Sequence, residues 1–246
     1  MNKFLYKNKS TLLQIKRFLN ALTGIEITKY PTEVLCRRMA LINHHHIDVI
    51  IDVGANIGQY GAEMRNLGFK GQIISYEPMK EAFLKLKKIA AKDSNWQVYN
   101  FSLGERDGET TINVAKNSVS SSLLENLPQL TESAPEARFV QKESIEIRKL
   151  DSVFDQLNLK GKNIYLKIDT QGYEEMVLLG AEKSLQYVSG IQIEMAFVPS
   201  YEGAMTFHEM KAKLKNLGFR LHALENGFYN KKTGEQLEVD GIFFKY

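Results

Sequence analysis

Cys36 is the only cysteine in the chain, so no intramolecular disulfide can form, and it reads as a packing residue on a helix. No apolar run approaches the length of a membrane span. The N-terminus lacks the uninterrupted apolar stretch of a signal peptide, and a cytoplasmic protein is the expectation. Charge of one sign is scarce: a net charge of +3 is too small to argue for a nucleic-acid partner, and none is expected. There is no internal repeat and no compact metal-ligand motif, so no metal is expected. His44, His45 and His46 are adjacent and point in different directions, which reads as a polar connector rather than a metal site. What remains is ordinary for a globular chain: 246 residues, 43% hydrophobic and 25% charged, enough for one sizeable α/β domain with a core.

One local bias stands out. Lys3, Lys7, Lys9, Lys16 and Arg17 all precede Glu26, the first acidic residue. This is either a solvated helix face or a patch that touches a membrane surface or an anionic lipid carrier. Phe4, Leu5, Leu12, Leu13, Ile15, Phe18, Leu19 and Leu22 are spaced as an amphipathic helix or two. After Pro31, Thr32 is a plausible N-cap for a helix with Leu35, Met39 and Ile42 on one stripe. Residues 1–46 therefore read as a helical cap.

From Ile47 the texture changes. Ile47 to Val53 is a β-branched run ending at Gly54, a buried parallel strand entering a tight turn. A helix stopping at Gly68 follows, then the strand Gln72–Tyr76, a helix marked by Ala82, Leu86 and Ile89, and a strand from Trp96 to Phe101. A polar stretch from Asn117 to Glu136 interrupts the alternation as a functional loop, lid or linker. Alternation resumes with the strand Ile164–Ile168, a helix from about Tyr173 to Ser184 and the strand Gly190–Ala196. A helix carrying Phe207, Met210, Leu214 and Leu217 stops at Gly218. Arg220–Leu224 and Asp240–Tyr246 pair without a helix between them, so one edge is antiparallel. Residues 47–246 are expected to form an α/β domain with a mostly parallel sheet covered on both faces.

Ligands of such sheets bind beyond the carboxyl ends of the strands, and four ends carry notable residues: Gly54, Glu77, Asp169 and Glu194. The turn after the first strand has glycines as G-x-x-x-G, Gly54 and Gly58, with Asn56 where a dinucleotide fingerprint would place its middle glycine. An adenosine cofactor without a pyrophosphate suits this loop better. Asp52, just before the turn, is placed to meet a cationic amino group. Glu77 lies about 20 residues past Gly58, where acidic residues of related folds accept ribose hydroxyls. Lys167 and Asp169 share a face of their strand, and a lysine in a buried strand needs a partner. Asp169 is placed for the reaction, while Glu194 could act there or pair with Lys167 or a neighbour. Asp240 could approach Glu194; three carboxylates at one edge could bind a divalent cation or place a base.

Together these residues resemble the FkbM-type methyltransferases, which use S-adenosylmethionine. The resemblance runs through Ile51–Tyr60, Ser75–Pro78, Ser102–Gly108, Ser120–Leu124, Leu166–Glu174, Ile193–Glu194 with Tyr201–Gly203, and Asp240–Phe243. It implies a Rossmann-like, seven-stranded methyltransferase sheet with one antiparallel strand. It also implies cofactor contacts at Asp52, Gly54, Ala55, Asn56, Gly58, Gln59, Tyr60, Glu77, Pro78, Ser102, Leu103 and Asp169. O-methylation follows, with a sugar hydroxyl of a polysaccharide or glycolipid as acceptor. A small natural product is the alternative acceptor, and a cofactor-binding module without catalysis is the non-enzymatic rival. Asp169 is the first candidate for base and Glu194 the second, with His208 and His222 as alternatives. Ser121, Ser122, Gln171, Tyr201 and His208 are the candidate acceptor wall.

Overall fold

The computed structural model describes residues 9–26 and 28–246. Lys3, Phe4, Leu5 and Lys7 of the N-terminal reading lie outside the described residues. The chain divides into two compact units, one ending at Arg38 and one running from Met39 to Tyr246. The division falls inside the second helix, ahead of the boundary at His46 read from sequence.

In the first unit, α1 (Lys9–Thr23) stops at Gly24, which has a φ of 66°. Helix α2 (Glu33–His44) begins after Thr32, whose hydroxyl accepts the Leu35 N–H at 3.3 Å, the capping role expected of it. Cys36 is exposed, which corrects its reading as a packing residue. It lies one residue past buried Leu35, a rotation of about 100° around the helix.

The second unit is built on a seven-stranded sheet in the order β3-β2-β1-β7-β8-β10-β9. Its strands are β1 (Val49–Val53), β2 (Gln72–Tyr76), β3 (Trp96–Tyr99), β7 (Ile164–Ile168), β8 (Val188–Ala196), β9 (Phe219–Asn226) and β10 (Glu238–Lys245). The pairs among β1, β2, β3, β7 and β8 are parallel. β10 is antiparallel to both β8 and β9, so it is the one reversed strand expected. Strands β1 and β7 are buried along their whole length, as their β-branched content demands. Helices α3 (Gln59–Asn66), α4 (Lys80–Ala90), α6 (Leu150–Val153), α7 (Glu174–Leu179) and α8 (Phe207–Asn216) connect the strands. Thr206 and Glu209 form a capping box at the start of α8.

Several boundaries differ from those read in the sequence. In α4 it is Ala90, not the partly exposed Ile89, that is buried; α7 ends at Leu179, well short of Ser184; and Leu217 is exposed. Strand β10 starts at Glu238, two residues before Asp240. A second sheet of β4 (Ser102–Leu103), β6 (Phe139–Arg148) and β5 (Gly108–Ala115) was not anticipated. Its strands alternate with charged, exposed residues such as Glu109, Lys142 and Glu146, which blur an apolar pattern. The stretch from Asn117 to Glu136 joins β5 to β6 and is not structureless. It carries α5 (Pro128–Ser133) and folds back so that Asn126 bridges Tyr201.

Alternation along the central strands divides the core. Ile51, Val53, Leu166, Ile168, Ile191 and Ile193 fill one face, while Ile50, Tyr165, Ile242 and Phe244 fill the other. Towards the carboxyl edge the second face turns polar. Asp52 stands opposite Lys167, Lys167 opposite Gln192, and Asp240 opposite both Glu194 and Glu225.

Candidate active site

The turn after β1 is held tightly. The N–H groups of Gly54 and Ala55 both donate to the Tyr76 carbonyl, at 3.1 and 3.0 Å, and the Asp169 N–H donates to the Val53 carbonyl at 3.1 Å. Gly54, Asn56 and Gly58 have φ of 77°, 46° and 92°. A Cβ on Gly54 would collide with the Asp169 carbonyl oxygen, so only glycine lets β1 and β7 close at this point. Asn56 takes the left-handed conformation that a glycine would otherwise supply, and its side chain accepts the Ile57 N–H at 2.9 Å. The exposed Gln59 accepts the same N–H at 3.1 Å.

Glu77 is buried at the end of β2. One carboxylate oxygen accepts the Asn56 N–H at 2.8 Å and the other the Met79 N–H at 2.9 Å. Burial pushes its pKa up to about 7, against the pull of those two donors. Asn100, which sequence reasoning missed, donates to the carbonyls of Glu77 and Pro78 and fixes the strand end. The side chain of Leu103 lies wholly in the main core, and the Ser102 hydroxyl donates to the Leu103 carbonyl.

Lys167 has the partners its burial requires. Its ammonium lies 3.1 Å from Asp52 Oδ1, 3.4 Å from Asp169 Oδ2 and 3.5 Å from the Gly54 carbonyl, with the Tyr60 ring centroid at 5.4 Å. Burial works against its charge, but Asp52 and then Asp169 overcome it and leave the pKa raised. Asp52 is fully buried and also accepts from Ser75 at 3.3 Å. Its carboxylate therefore points to Lys167 and not outward to an amino group: a buried carboxylate must find its countercharge inside. The Tyr60 hydroxyl donates to Gln192, turning that side chain under the loop.

The turn after β7 gathers five of the predicted residues, Asp169, Gln171, Glu194, Tyr201 and Ser122. Gln171, with φ of 56°, donates from its amide to Asp169 Oδ1 at 3.0 Å and to Glu194 Oε2 at 2.8 Å. The Tyr201 hydroxyl lies 2.8 Å from Gln171 Oε1 and 3.1 Å from the Ser120 carbonyl, and the Ser122 hydroxyl donates to the Gln171 carbonyl at 2.6 Å. Ser121 instead accepts the Ala115 N–H and serves the loop itself. The turn is pinned from below by Glu174, another residue missed in sequence. One oxygen of Glu174 accepts the N–H groups of Thr170 and Gly172 and the Thr170 hydroxyl. Burial raises its pKa to about 7 despite those donors.

Glu194 makes no ion pair with Lys167; its neighbours are Gln171 and acidic residues. Burial first, then Glu238, Asp169, Glu174 and Asp240, push its carboxyl well above the ordinary range. Glu238 is buried, accepts the Ser200 hydroxyl at 2.6 Å, and is itself raised by burial and by Asp169. Burial thus disfavours the ionised form of both Glu194 and Glu238. Glu238 was overlooked because β10 was started at Asp240; the i, i+2 spacing of the two acids in one strand was its signal. No group of three or more His, Cys, Asp or Glu among the described residues is arranged to hold a metal ion.

Neither histidine alternative joins this cluster. His208 is exposed on α8 with its ring edge against Phe207. His222 packs against His45 and Phe244, and His45 stacks on Phe244 at 3.7 Å. β10 runs antiparallel, so Phe244, near its far end, lies at the opposite edge of the sheet from Asp240.

Solved structures of similar shape are distant in sequence. Magnesium protoporphyrin IX methyltransferase from Synechocystis, solved with bound S-adenosylmethionine, is 8% identical, with 87% of this chain and 79% of that chain covered and a TM-score of 0.46. A methyltransferase from Aquifex aeolicus described as S-adenosylmethionine-dependent is 10% identical over 85% and 89%, with a TM-score of 0.42. TehB from Haemophilus influenzae is 10% identical over 94% and 67%, with a TM-score of 0.47. Likenesses this weak carry no argument about substrate. No curated protein matches the chain in sequence. The methyltransferase FkbM domain, however, matches residues 52–221. That span runs from the buried Asp52, through Glu77 and the Asp169–Gln171–Glu194 node, into β9, and on that match the chain belongs to the FkbM methyltransferase family.

Proposed function

We propose that the chain transfers a methyl group from S-adenosylmethionine to an acceptor hydroxyl, and that the acceptor is a sugar. The observation that carries this reading is the placement of Asp169. It is a partly exposed carboxylate beside the Gly54 turn, held by Lys167 at one oxygen and by Gln171 at the other.

The residues present fit the cofactor. Each oxygen of Glu77 accepts one backbone N–H and keeps a lone pair for a ribose hydroxyl. The left-handed turn from Gly54 to Gly58 gives close backbone approach without a pyrophosphate-binding glycine set. Bound there, S-adenosylmethionine would supply a methyl group activated by a sulfonium. Asp169 orients the acceptor O–H and takes its proton as the new C–O bond forms. Gln171 fixes the rotamer of Asp169, and the geometry must be in line, so positioning supplies much of the acceleration. Glu194, whose carboxyl burial raises well above the ordinary range, offers the acceptor a hydrogen-bonding wall rather than a second base. The sugar assignment extends the family resemblance, whose nearest-looking members accompany polysaccharide and glycolipid assembly.

Calorimetric titration with S-adenosylmethionine, with NAD as the control, tests the cofactor. Transfer of labelled methyl to a panel of glycans and small alcohols tests the acceptor. Tight cofactor binding with no transfer to any member would replace this reading with an interaction module. Full turnover by Asp169→Ala would remove Asp169 from its role.

A further inference from the structure

Helix α1 carries an exposed apolar face. Over 15 residues it presents Leu12, Ile15, Phe18, Leu19 and Leu22 along one stripe, at the i, i+3, i+4 spacing of a single helix side. Phe18 and Leu22 are 67% and 70% exposed, and Leu12 and Ile15 about half. Lys16 and Arg17 lie on the other side with Gln14 and Asn20. No acidic residue occurs in the helix or anywhere before Glu26, whereas five basic residues do.

We propose that α1 lies in the surface of an anionic phospholipid membrane, apolar stripe inward and basic side towards the headgroups. A helix with a Phe- and Leu-bearing face, a basic opposite face and little net hydrophobicity has the composition of an in-plane membrane helix. At about 22 Å its length lets the stripe lie along the interface, and it is too short to span the bilayer. The charge pattern decides between occupants. Pairing with α1 of a second copy would bring basic flanks together with no Asp or Glu in either helix to answer them. An acidic lipid surface answers them directly. The inference is independent of the methyl acceptor and of the cofactor.

The test is co-sedimentation of the full chain with vesicles of phosphatidylcholine alone and of equal parts phosphatidylcholine and phosphatidylglycerol. Binding is expected to the acidic vesicles only, and to weaken in high salt. Lys16→Gln with Arg17→Gln should weaken it about 25-fold, roughly fivefold for each charge. Phe18→Glu with Leu22→Glu should weaken it about thirtyfold for each side chain removed from the acyl boundary. Both pairs are exposed or half-exposed, so the unfolding curve is expected to stay unchanged; if it moves for the Glu pair, the Gln pair carries the test. Absence of binding to acidic vesicles would overturn the proposal, as would equal binding to both vesicle types. A dimer in lipid-free sedimentation that Phe18→Glu with Leu22→Glu dissociates would overturn it in favour of a second copy.

Discussion

Replacing Lys167 with methionine isolates the electrostatic centre of the site. The change keeps most of the volume of the side chain and removes the ammonium. Asp52 is then left fully buried with a hydroxyl from Ser75 as its remaining partner, because Asp52 Oδ1 accepts no directed hydrogen bond and depends on the charge 3.1 Å away. The two side chains are 7% and 0% exposed, so water screens little of the loss. Breaking a buried pair by removing one partner costs about 3–5 kcal/mol. For a chain of this size that lowers Tm by roughly 6–20 °C, at about 2–4 °C per kcal/mol. The cost should depend on pH with a definite sign. Without Lys167, burial holds the folded pKa of Asp52 above its unfolded value of about 3.9. The variant is then least impaired below that value, and its deficit grows as pH rises towards the folded pKa. Thermal unfolding of the wild type and Lys167→Met across pH 4–8 reads this directly. Adding Asp52→Leu should restore most of the loss, since an apolar pair of similar volume is about neutral. A Lys167→Met variant within about 1 kcal/mol of wild type, or one that Asp52→Leu fails to rescue, refutes the pairing as a stabilising element.

Other expectations follow from the same geometry. Glu77→Ala should weaken S-adenosylmethionine about 100-fold or more, from two charge-assisted hydrogen bonds of about 1.5 kcal/mol each, measured by calorimetry. Cofactor binding to the wild type should be tighter at pH 8 than at pH 6, because the Glu77 carboxyl titrates near 7 and its ionised form accepts both hydroxyls. For the cofactor-free protein the sign reverses. Glu77 and Glu174, both raised to about 7, contribute stability that is present below about pH 4 and is lost as pH rises through 7, which urea unfolding at pH 5 and pH 8 should show. Gly54→Ala should cost at least about 1–2 kcal/mol from its left-handed φ alone and abolish cofactor binding, since the new methyl meets the Asp169 carbonyl. Gln171→Ala should lower kcat about 10- to 100-fold while cofactor affinity changes little, the mark of a positioning residue; a pure rise in KM would contradict that role.

The elements most legible in the sequence were those with one dominant signal. The strands Gln72–Tyr76 and Ile164–Ile168 are unbroken buried runs between turn residues, and they lie where the sequence placed them. Gly68 ended its helix because its φ is positive, a position glycine fills without strain. The strand ends carrying Glu77, Asp169 and Glu194 could be read because an acidic residue in an apolar strand is costly and needs a reason. What stayed hidden were residues whose meaning comes from a partner distant in sequence. Asp52 reads in sequence as a partner for a ligand's amino group, because the cation it actually meets, Lys167, comes from β7, more than a hundred residues on. Glu174 looked like an ordinary acid in a first helical turn, but it closes the turn that aims Asp169. The small sheet of β4, β5 and β6 was missed because its outward side chains are charged, and alternation with charges resembles a loop.

The environments of the carboxylates on this face differ, and the differences single out Asp169 as the base of the proposed transfer. Asp52 is buried and faces Lys167, so it has neither access nor a free charge. Burial and neighbouring acids raise the carboxyls of Glu194 and Glu238 above the ordinary range, which disfavours their ionised forms. Glu174 is enclosed under its own turn and accepts backbone donors. Asp169 remains: its side chain is 38% exposed, it lies against the cofactor turn, and an ammonium 3.4 Å away offsets the charge its neighbours would otherwise repel. The lysine therefore has two partners, buried Asp52, which it compensates for the fold, and Asp169, one oxygen of which it holds beside the turn after β1.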